Sequence, residues 1–239
     1  MMLVTTVLAD PPWPWNDRLR MSAVKRGSED QYGAMTIDEI RELYQPSSVV
    51  VPERQAFADP QRRVRAITYP SKLAGYLLAD VGFLLLWTTA THLLNGNAVQ
   101  VCRHWGYEPK QIVPWVKGEG IAAPRPDVKL DTLGMGWTFR SVAEFLIVAT
   151  RGKYLTLVKT HTEPGLILDD LILARRPPRR KGSKHSIKPP SVYEKIERVC
   201  PGPYLELFAR ERRAGWISHG NQLPEIALPD PGLEGQWAF

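Results

Sequence analysis

The amino-acid sequence predicts an α/β fold in which a mostly parallel central sheet is flanked by helices. Three observations carry that prediction. Short, near-continuous apolar runs recur at Leu3–Ala9, Gly82–Thr88 and Glu144–Thr150, the pattern of strands buried on both faces. Segments of helical period lie between and after them, as in an alternating strand–helix chain. The 239 residues are 44% hydrophobic and 23% charged, enough for one large domain with its own core. There is no internal repeat and no interdomain linker, so residues 1–239 read as a single domain.

Each element has a local reason. Leu3–Ala9 is apolar and β-branched, and it stops at Asp10-Pro11-Pro12 because proline cannot donate to a sheet ladder. Thr36 starts a helix, with Glu39 three residues on completing a capping box before Ile40 and Leu43. Residues 46–70 lack a clear period and read as an insertion or long loop. Lys72–Ala79 looks helical, and Gly82–Thr88 is a buried strand. Leu93–Trp105 reads as a helix ended by Gly106. Ile112–Val116 is a short strand, residues 118–132 a Gly/Pro/Asp-rich loop, and Glu144–Thr150 a strand. After a basic loop at 175–188 come a helix at Val192–Val199, a strand at Tyr204–Phe208 and a last short strand at Trp216–Ser218.

Composition also excludes. Wholesale disorder, a collagen-like chain and a coiled coil do not fit these proportions. Cys102 and Cys200 form neither a CxxC pair nor a disulfide framework, which points to reduced thiols in the cytoplasm. Cys102 with His104 is the one close pair of metal-type side chains, and two ligands do not make a metal site, so no metal is expected. The N-terminal apolar run ends at Asp10, too short for a signal peptide, and the run around Phe83–Trp87 falls well short of a membrane span. The expected protein is cytoplasmic, with no membrane attachment.

The charge has an address. The chain carries 31 Lys+Arg against 25 Asp+Glu, a net of +6. Seven of those cations (Arg175, Arg176, Arg179, Arg180, Lys181, Lys184 and Lys188) sit between residues 175 and 188 without an acid among them. Without them, 24 basic residues would face 25 acidic ones. Polyanion binding is thus expected locally, at this loop. A second basic segment after Trp13, with Arg18, Arg20, Lys25 and Arg26, is expected to help grip phosphates.

The most informative four residues are Asp10-Pro11-Pro12-Trp13. A proline turn leaving a strand explains the prolines but not a carboxylate and a tryptophan together. The C-terminal edge of a parallel sheet is where ligands bind. Asp10 can accept a hydrogen bond from an exocyclic amine, a proline carbonyl can accept the second, and Trp13 offers a flat face for an unstacked base.

This motif resembles that of the MT-A70 family of S-adenosylmethionine-dependent adenine-N6 methyltransferases. The resemblance continues in order through Gly82–Thr91, Trp105-Gly106-Tyr107, Gly134–Lys153, His185–Pro189, Leu205–Arg210 and Trp216–Gln222. It covers about residues 3–223, least well over 46–70. It implies a Rossmann-like class I methyltransferase fold with permuted motif order, the catalytic DPPW preceding the cofactor strand. It further implies a catalytic Asp10, Pro11, Pro12 and Trp13, and S-adenosylmethionine contacts from Asp10, Lys188, Glu206, Phe208, Arg210, Asn221 and Gln222. On residues alone, Lys188 also reads as a solvated charge, Phe208 as core, and Glu144 as structural with no catalytic role. The implied activity is methylation of the adenine N6 amine, in DNA rather than RNA because neither a zinc finger nor a long helical extension is visible. A silent nucleic-acid-binding subunit is the remaining alternative. A homo- or heterodimer is compatible with the family.

Overall fold

Strand β1 (Val4–Ala9) lies inside the sheet, with a neighbour on each side. The computed structural model describes residues 3–14, 34–50, 67–118, 141–166, 168–177 and 187–223. Helix α1 (Ile37–Glu42) follows, then β2 (Tyr44–Gln45), β3 (Ser48–Val50), β4 (Ile67–Tyr69), β5 (Lys72–Leu73) and the long β6 (Tyr76–Thr88). Helices α2 (Ala90–Leu94) and α3 (Asn97–His104) lead to β7 (Glu108–Lys117) and β8 (Ala143–Arg151). The chain continues through α4 (Tyr154–His161), β9 (Ile172–Ala174), α5 (Ser191–Val199), β10 (Tyr204–Leu207) and β11 (Trp216–His219). The main sheet has the order β11-β10-β1-β6-β8-β7-β9.

Along this path the pairings β11–β10, β10–β1, β1–β6 and β7–β9 are parallel. Strand β8 runs against both of its neighbours, β6 and β7. The sheet is therefore mixed, where the sequence suggested a mostly parallel one. A strand buried on both faces has the same apolar composition whichever way it runs, so its direction leaves no mark in the pattern.

Side chains alternate between two cores. Val7 and Ala9 of β1, Leu84 and Leu86 of β6, and Leu205 and Leu207 of β10 meet Ala98, Val101 and Cys102 of α3 on one face. Leu8, Phe83, Leu85 and Trp87 meet Val192 and Ile196 of α5 on the other. Two covered faces are why these strands read as unbroken apolar runs.

The capping box of α1 forms as expected. Glu39 N–H donates to Thr36 Oγ1, and Thr36 N–H donates to a Glu39 carboxylate oxygen. Three expectations need correction. Lys72–Ala79 is not a helix but two hairpin strands, β5 and the start of β6, joined by Ala74 (φ 48°) and Gly75 (φ 85°). Two successive positive φ values make the tight turn that suits a two-residue hairpin, and that turn outweighs the helix-favouring Lys, Leu and Ala. The stretch 46–70 is not all loop, since β3 and β4 pair antiparallel. The helix expected over Leu93–Trp105 is broken at Asn95-Gly96, where Gly96 takes φ 78° and Asn95 Oδ1 accepts from Asn97 N–H. Most of the expected 118–132 loop lies outside the described residues. Among the described residues no helix is long and apolar enough to cross a membrane.

Candidate active site

Register brings the site together. Ala9 of β1 is level with Leu86 of β6 and Leu207 of β10, so Asp10, Trp87 and Phe208 leave the same sheet edge side by side. Residues at the ends of several parallel strands converge there on a crevice. Phe208 adopts φ 62°, a left-handed conformation uncommon for a bulky residue and of the kind found at ligand sites. Its neighbour Ala209 donates its N–H to His219 O at 3.0 Å, locking the ends of β10 and β11 together. Gly220 permits this approach, because a Cβ there would lie 2.2 Å from Ala209 O.

The Asp10–Trp13 turn is pinned into the protein. Trp13 N–H donates to Pro11 O at 2.8 Å, and Met35 N–H donates to Pro12 O at 3.1 Å. Neither proline carbonyl is left without a partner as the sequence suggested, although each oxygen has a second lone pair. Trp13 is buried, 8% exposed, rather than presented as an open platform. Its Nε1–H donates to Trp87 O at 2.8 Å and its ring stacks on His92, 4.9 Å between centroids.

Beside this turn runs a ladder of alternating charges. Asp10 Oδ2 receives Arg210 Nη2 at 3.2 Å and Lys188 Nζ at 3.0 Å. Lys188 Nζ also reaches Glu144 Oε2 at 2.9 Å, and Glu144 Oε1 pairs with Lys117. Burial alone would push the Lys188 ammonium down, but Asp10 and Glu144 together hold it above the ordinary lysine value. Burial would likewise raise Glu144, yet Lys188 and Lys117 outweigh it and bring its carboxyl down to about 2. Lys117 is lowered, because burial there outweighs its one carboxylate. The Lys188 ammonium also lies 5.2 Å from the centre of the Trp87 ring.

A cavity of about 300 Å³ opens next to the ladder. Asp10, Lys188, Glu206, Phe208 and Arg210, all expected site residues, line it together. Glu206 accepts a 2.7 Å hydrogen bond from Tyr193 O–H, and burial pushes its carboxyl above the usual range despite that bond. The Tyr193 hydroxyl is raised too, by burial and by the Glu206 charge. The Arg213 guanidinium lies 3.7 Å from the Tyr193 ring centre. The cavity lining therefore combines cations, carboxylates and aromatic rings.

Not every expected residue arrives. Asn221 and Gln222 are exposed in the turn after β11 and do not line this cavity. Arg175 and Arg176 follow β9, one exposed and one half-buried, near Pro177 of the cavity wall. Arg18, Arg20, Lys25, Arg26, Arg179, Arg180, Lys181 and Lys184 lie outside the described residues. Three participants escaped the sequence reading, Lys117, Trp87 and Tyr193, while Arg212 and Arg213, left out of the expected set, also line the cavity. Glu144, read there as structural, shares Lys188 with Asp10. A charged residue flanking an apolar run, as at Lys117 after Ile112–Val116 and Glu144 before Phe145–Val148, was the signal that could have marked them. Among the described residues no group of three or more metal-type side chains comes together.

The family model for MT-A70 matches residues 74–222, more than half of the chain. Its match begins downstream of the Asp10–Trp13 turn. An N(6)-adenosine-methyltransferase MT-A70-like protein of Drosophila melanogaster is 28% identical over 97% of this chain, which spans 29% of that protein. An N(6)-adenosine-methyltransferase MT-A70-like protein of Arabidopsis thaliana is 27% identical over 97% of this chain and 25% of its own length. The type II methyltransferase M.MunI of a Mycoplasma species is 25% identical over 95% of this chain and 81% of its own length. The chain thus spans less than a third of the first two relatives and most of the third. With a matching family model over its central and C-terminal parts, and a sheet edge that gathers the charges and rings described above, the chain belongs to the MT-A70 family of methyltransferases.

Proposed function

We propose that this chain transfers a methyl group from S-adenosylmethionine to the N6 amine of adenine in nucleic acid, and that its polymer is DNA. The observation that carries the reading is the place of Asp10, on the rim of a cavity that also holds Lys188, Glu206, Phe208 and Arg210. A volume of about 300 Å³ lies at the small end of ligand pockets, with mixed apolar and polar walls.

The donor set fits an amino-acid-bearing nucleoside. Lys188 and Arg210 suit a carboxylate, Glu206 suits a pair of ribose hydroxyls, and Phe208 supplies an apolar wall. When bound, S-adenosylmethionine supplies a methyl group already activated by a positive sulfur. The chain's own part is orientation, which accounts for most of the rate gain in a displacement of this type. Asp10 accepts one hydrogen of the N6 amine, and the second lone pair of Pro11 O accepts the other, leaving the nitrogen lone pair free. Lys188 and Arg210 keep the carboxylate turned to the rim. Trp13 serves as an anchor of the turn. In this reading the acceptor motif comes first in the chain and the cofactor strand β10 comes last.

The choice of DNA follows the relative named a type II methyltransferase, which is matched along 81% of its own length. The relatives named N(6)-adenosine-methyltransferase make RNA the second reading. Incubation with labelled S-adenosylmethionine and matched DNA and RNA, followed by sequencing of the modified bases, tests both. Label in duplex DNA at N6 of adenine is expected. Label in RNA alone makes RNA the substrate. Cofactor binding without transfer, or no binding at all, overturns the enzymatic reading in favour of a silent binding subunit.

A further inference from the structure

One buried titratable side chain has no part in the site so far. His92, on α2, is 7% exposed. Its Nε2 lies 3.0 Å from Pro14 O, and a carbonyl can only accept, so Nε2 carries the hydrogen. Its Nδ1 lies 3.3 Å from Asn97 Nδ2, an amide donor that needs a lone pair. One form satisfies both contacts: the neutral imidazole protonated on Nε2. Burial lowers the ring's pKa and favours that form. The ring is also held flat against Trp13, with 23° between the planes.

We propose that His92 is a positioning residue for the Asp10–Trp13 turn, fixing its exit through the bond to Pro14 and its direction through the stack on Trp13. The kinetic consequence rests on the methyl-transfer reading above. His92 does not line the cavity, and it acts through two neighbours. Trp13 is bonded through its N–H to Pro11 O, the carbonyl assigned to the amine. That bond uses the backbone N–H of Trp13, so a shift of the Trp13 backbone moves that carbonyl as well, and the ring stack on His92 opposes such a shift. Met35 and Trp87 hold the turn at Pro12 O and Trp13 Nε1, and His92 supplies the hold at Pro14. The site asks for a flat face and a donor at the ε position in one side chain. Phenylalanine has only the face and glutamine only the donor.

The test uses the full chain with His92→Gln, His92→Phe and His92→Ala. Nitrogen-15 NMR reads the His92 tautomer and the Trp13 indole N–H, the latter assigned by its loss in Trp13→Phe. Calorimetry with S-adenosylmethionine reads cofactor affinity, and a duplex containing adenine reads kcat. The expected results are an Nε2–H tautomer in the wild-type chain and a shifted, faster-exchanging Trp13 indole in every variant. A fall in kcat of about tenfold is expected for Gln and for Phe and about a hundredfold for Ala, with cofactor affinity unchanged. Gln and Phe each retain one contact and keep the test readable if Ala does not fold. An Nδ1–H tautomer, or a Trp13 indole unchanged in all variants, overturns the proposal. So does a loss of cofactor affinity in step with kcat, which would mark a general structural role. If the wild-type chain transfers no methyl group, the methyl-transfer reading fails while the tautomer and the indole resonance still decide this one.

Discussion

Two different kinds of restraint hold the same short turn. On one side of Asp10 runs the charged ladder Arg210–Asp10–Lys188–Glu144–Lys117; on the other is a neutral clamp, in which Trp13, Trp87 O, His92 and Pro14 O are joined by hydrogen bonds and a ring stack. The ladder borders the cavity, and in the proposed reading its cations would exchange one anionic partner for another on meeting a ligand carboxylate. The clamp is built from neutral groups, with the Trp13 and His92 rings buried. A site that must both receive a charged ligand and keep one carboxylate in place needs the two together: exchangeable ionic contacts toward the ligand, and fixed neutral ones toward the core.

The comparison can be broken most severely at the residue both sides share. Asp10→Ala should lower methyl transfer by at least about a hundredfold while leaving the far-UV circular dichroism unchanged. Transfer at the wild-type rate would remove Asp10 from the mechanism. Next in size is the ladder itself. Lys188→Met leaves Asp10 and Glu144 short of a cation and should cost about 3 kcal/mol in chemical denaturation, with cofactor affinity lost as well. A variant with normal affinity would detach Lys188 from the cofactor. Glu144 carries a related pH signature. Its folded-state carboxyl stands near 2, below the unfolded value, so the stability it contributes is present above about pH 4.5 and is lost as pH falls toward 2. Glu144→Gln should flatten acid unfolding in that window, which a pH series of denaturation curves measures.

The clamp should respond more mildly and in a different currency. Trp13→Phe removes the donor to Trp87 O and should cost about 1–2 kcal/mol of stability, with little change in pH dependence or in salt dependence. An equal effect on cofactor affinity would show that clamp and ladder are not separable. Smallest of all is the outer surface. Arg175→Ala with Arg176→Ala should weaken nucleic-acid binding by less than about tenfold and reduce its salt slope by up to about 2, leaving cofactor affinity alone.

Legibility in the sequence followed locality. The capping box at Thr36 and Glu39, the stop of β1 at Asp10-Pro11-Pro12 and the apolar strands β6 and β8 are each decided within a few residues. All were readable. Lys72–Ala79 was misread because a type of turn, set by Ala74 and Gly75, overrode helix-favouring side chains on either side. The reversed direction of β8 was unreadable for another reason, since burial on both faces erases the alternation that would reveal a neighbour. In the site, Asp10, Lys188, Glu206, Phe208 and Arg210 announced themselves by motif. Tyr193, Trp87 and Lys117 did not, because a helical tyrosine, a strand tryptophan and a terminal lysine are ordinary until something is seen beside them.

The high tryptophan content shows the same division. Trp13, Trp105, Trp115 and Trp216 each place an indole N–H on a specific acceptor, the last of them on the Glu197 carboxylate. Composition announces eight such residues, and only the fold selects their partners. By itself the sequence determined the buried apolar strands, the carboxylate at the end of the first of them and the local surplus of positive charge, because propensity, proline chemistry and net charge act within the chain's immediate neighbourhood. The tertiary structure decided that Trp13 turns inward onto His92, and that Glu144 shares Lys188 with Asp10. Those pairings join residues 79 and 134 positions apart in the chain, and only the strand register, Ala9 beside Leu86 with Leu86 beside Ile147, brings them within bonding distance.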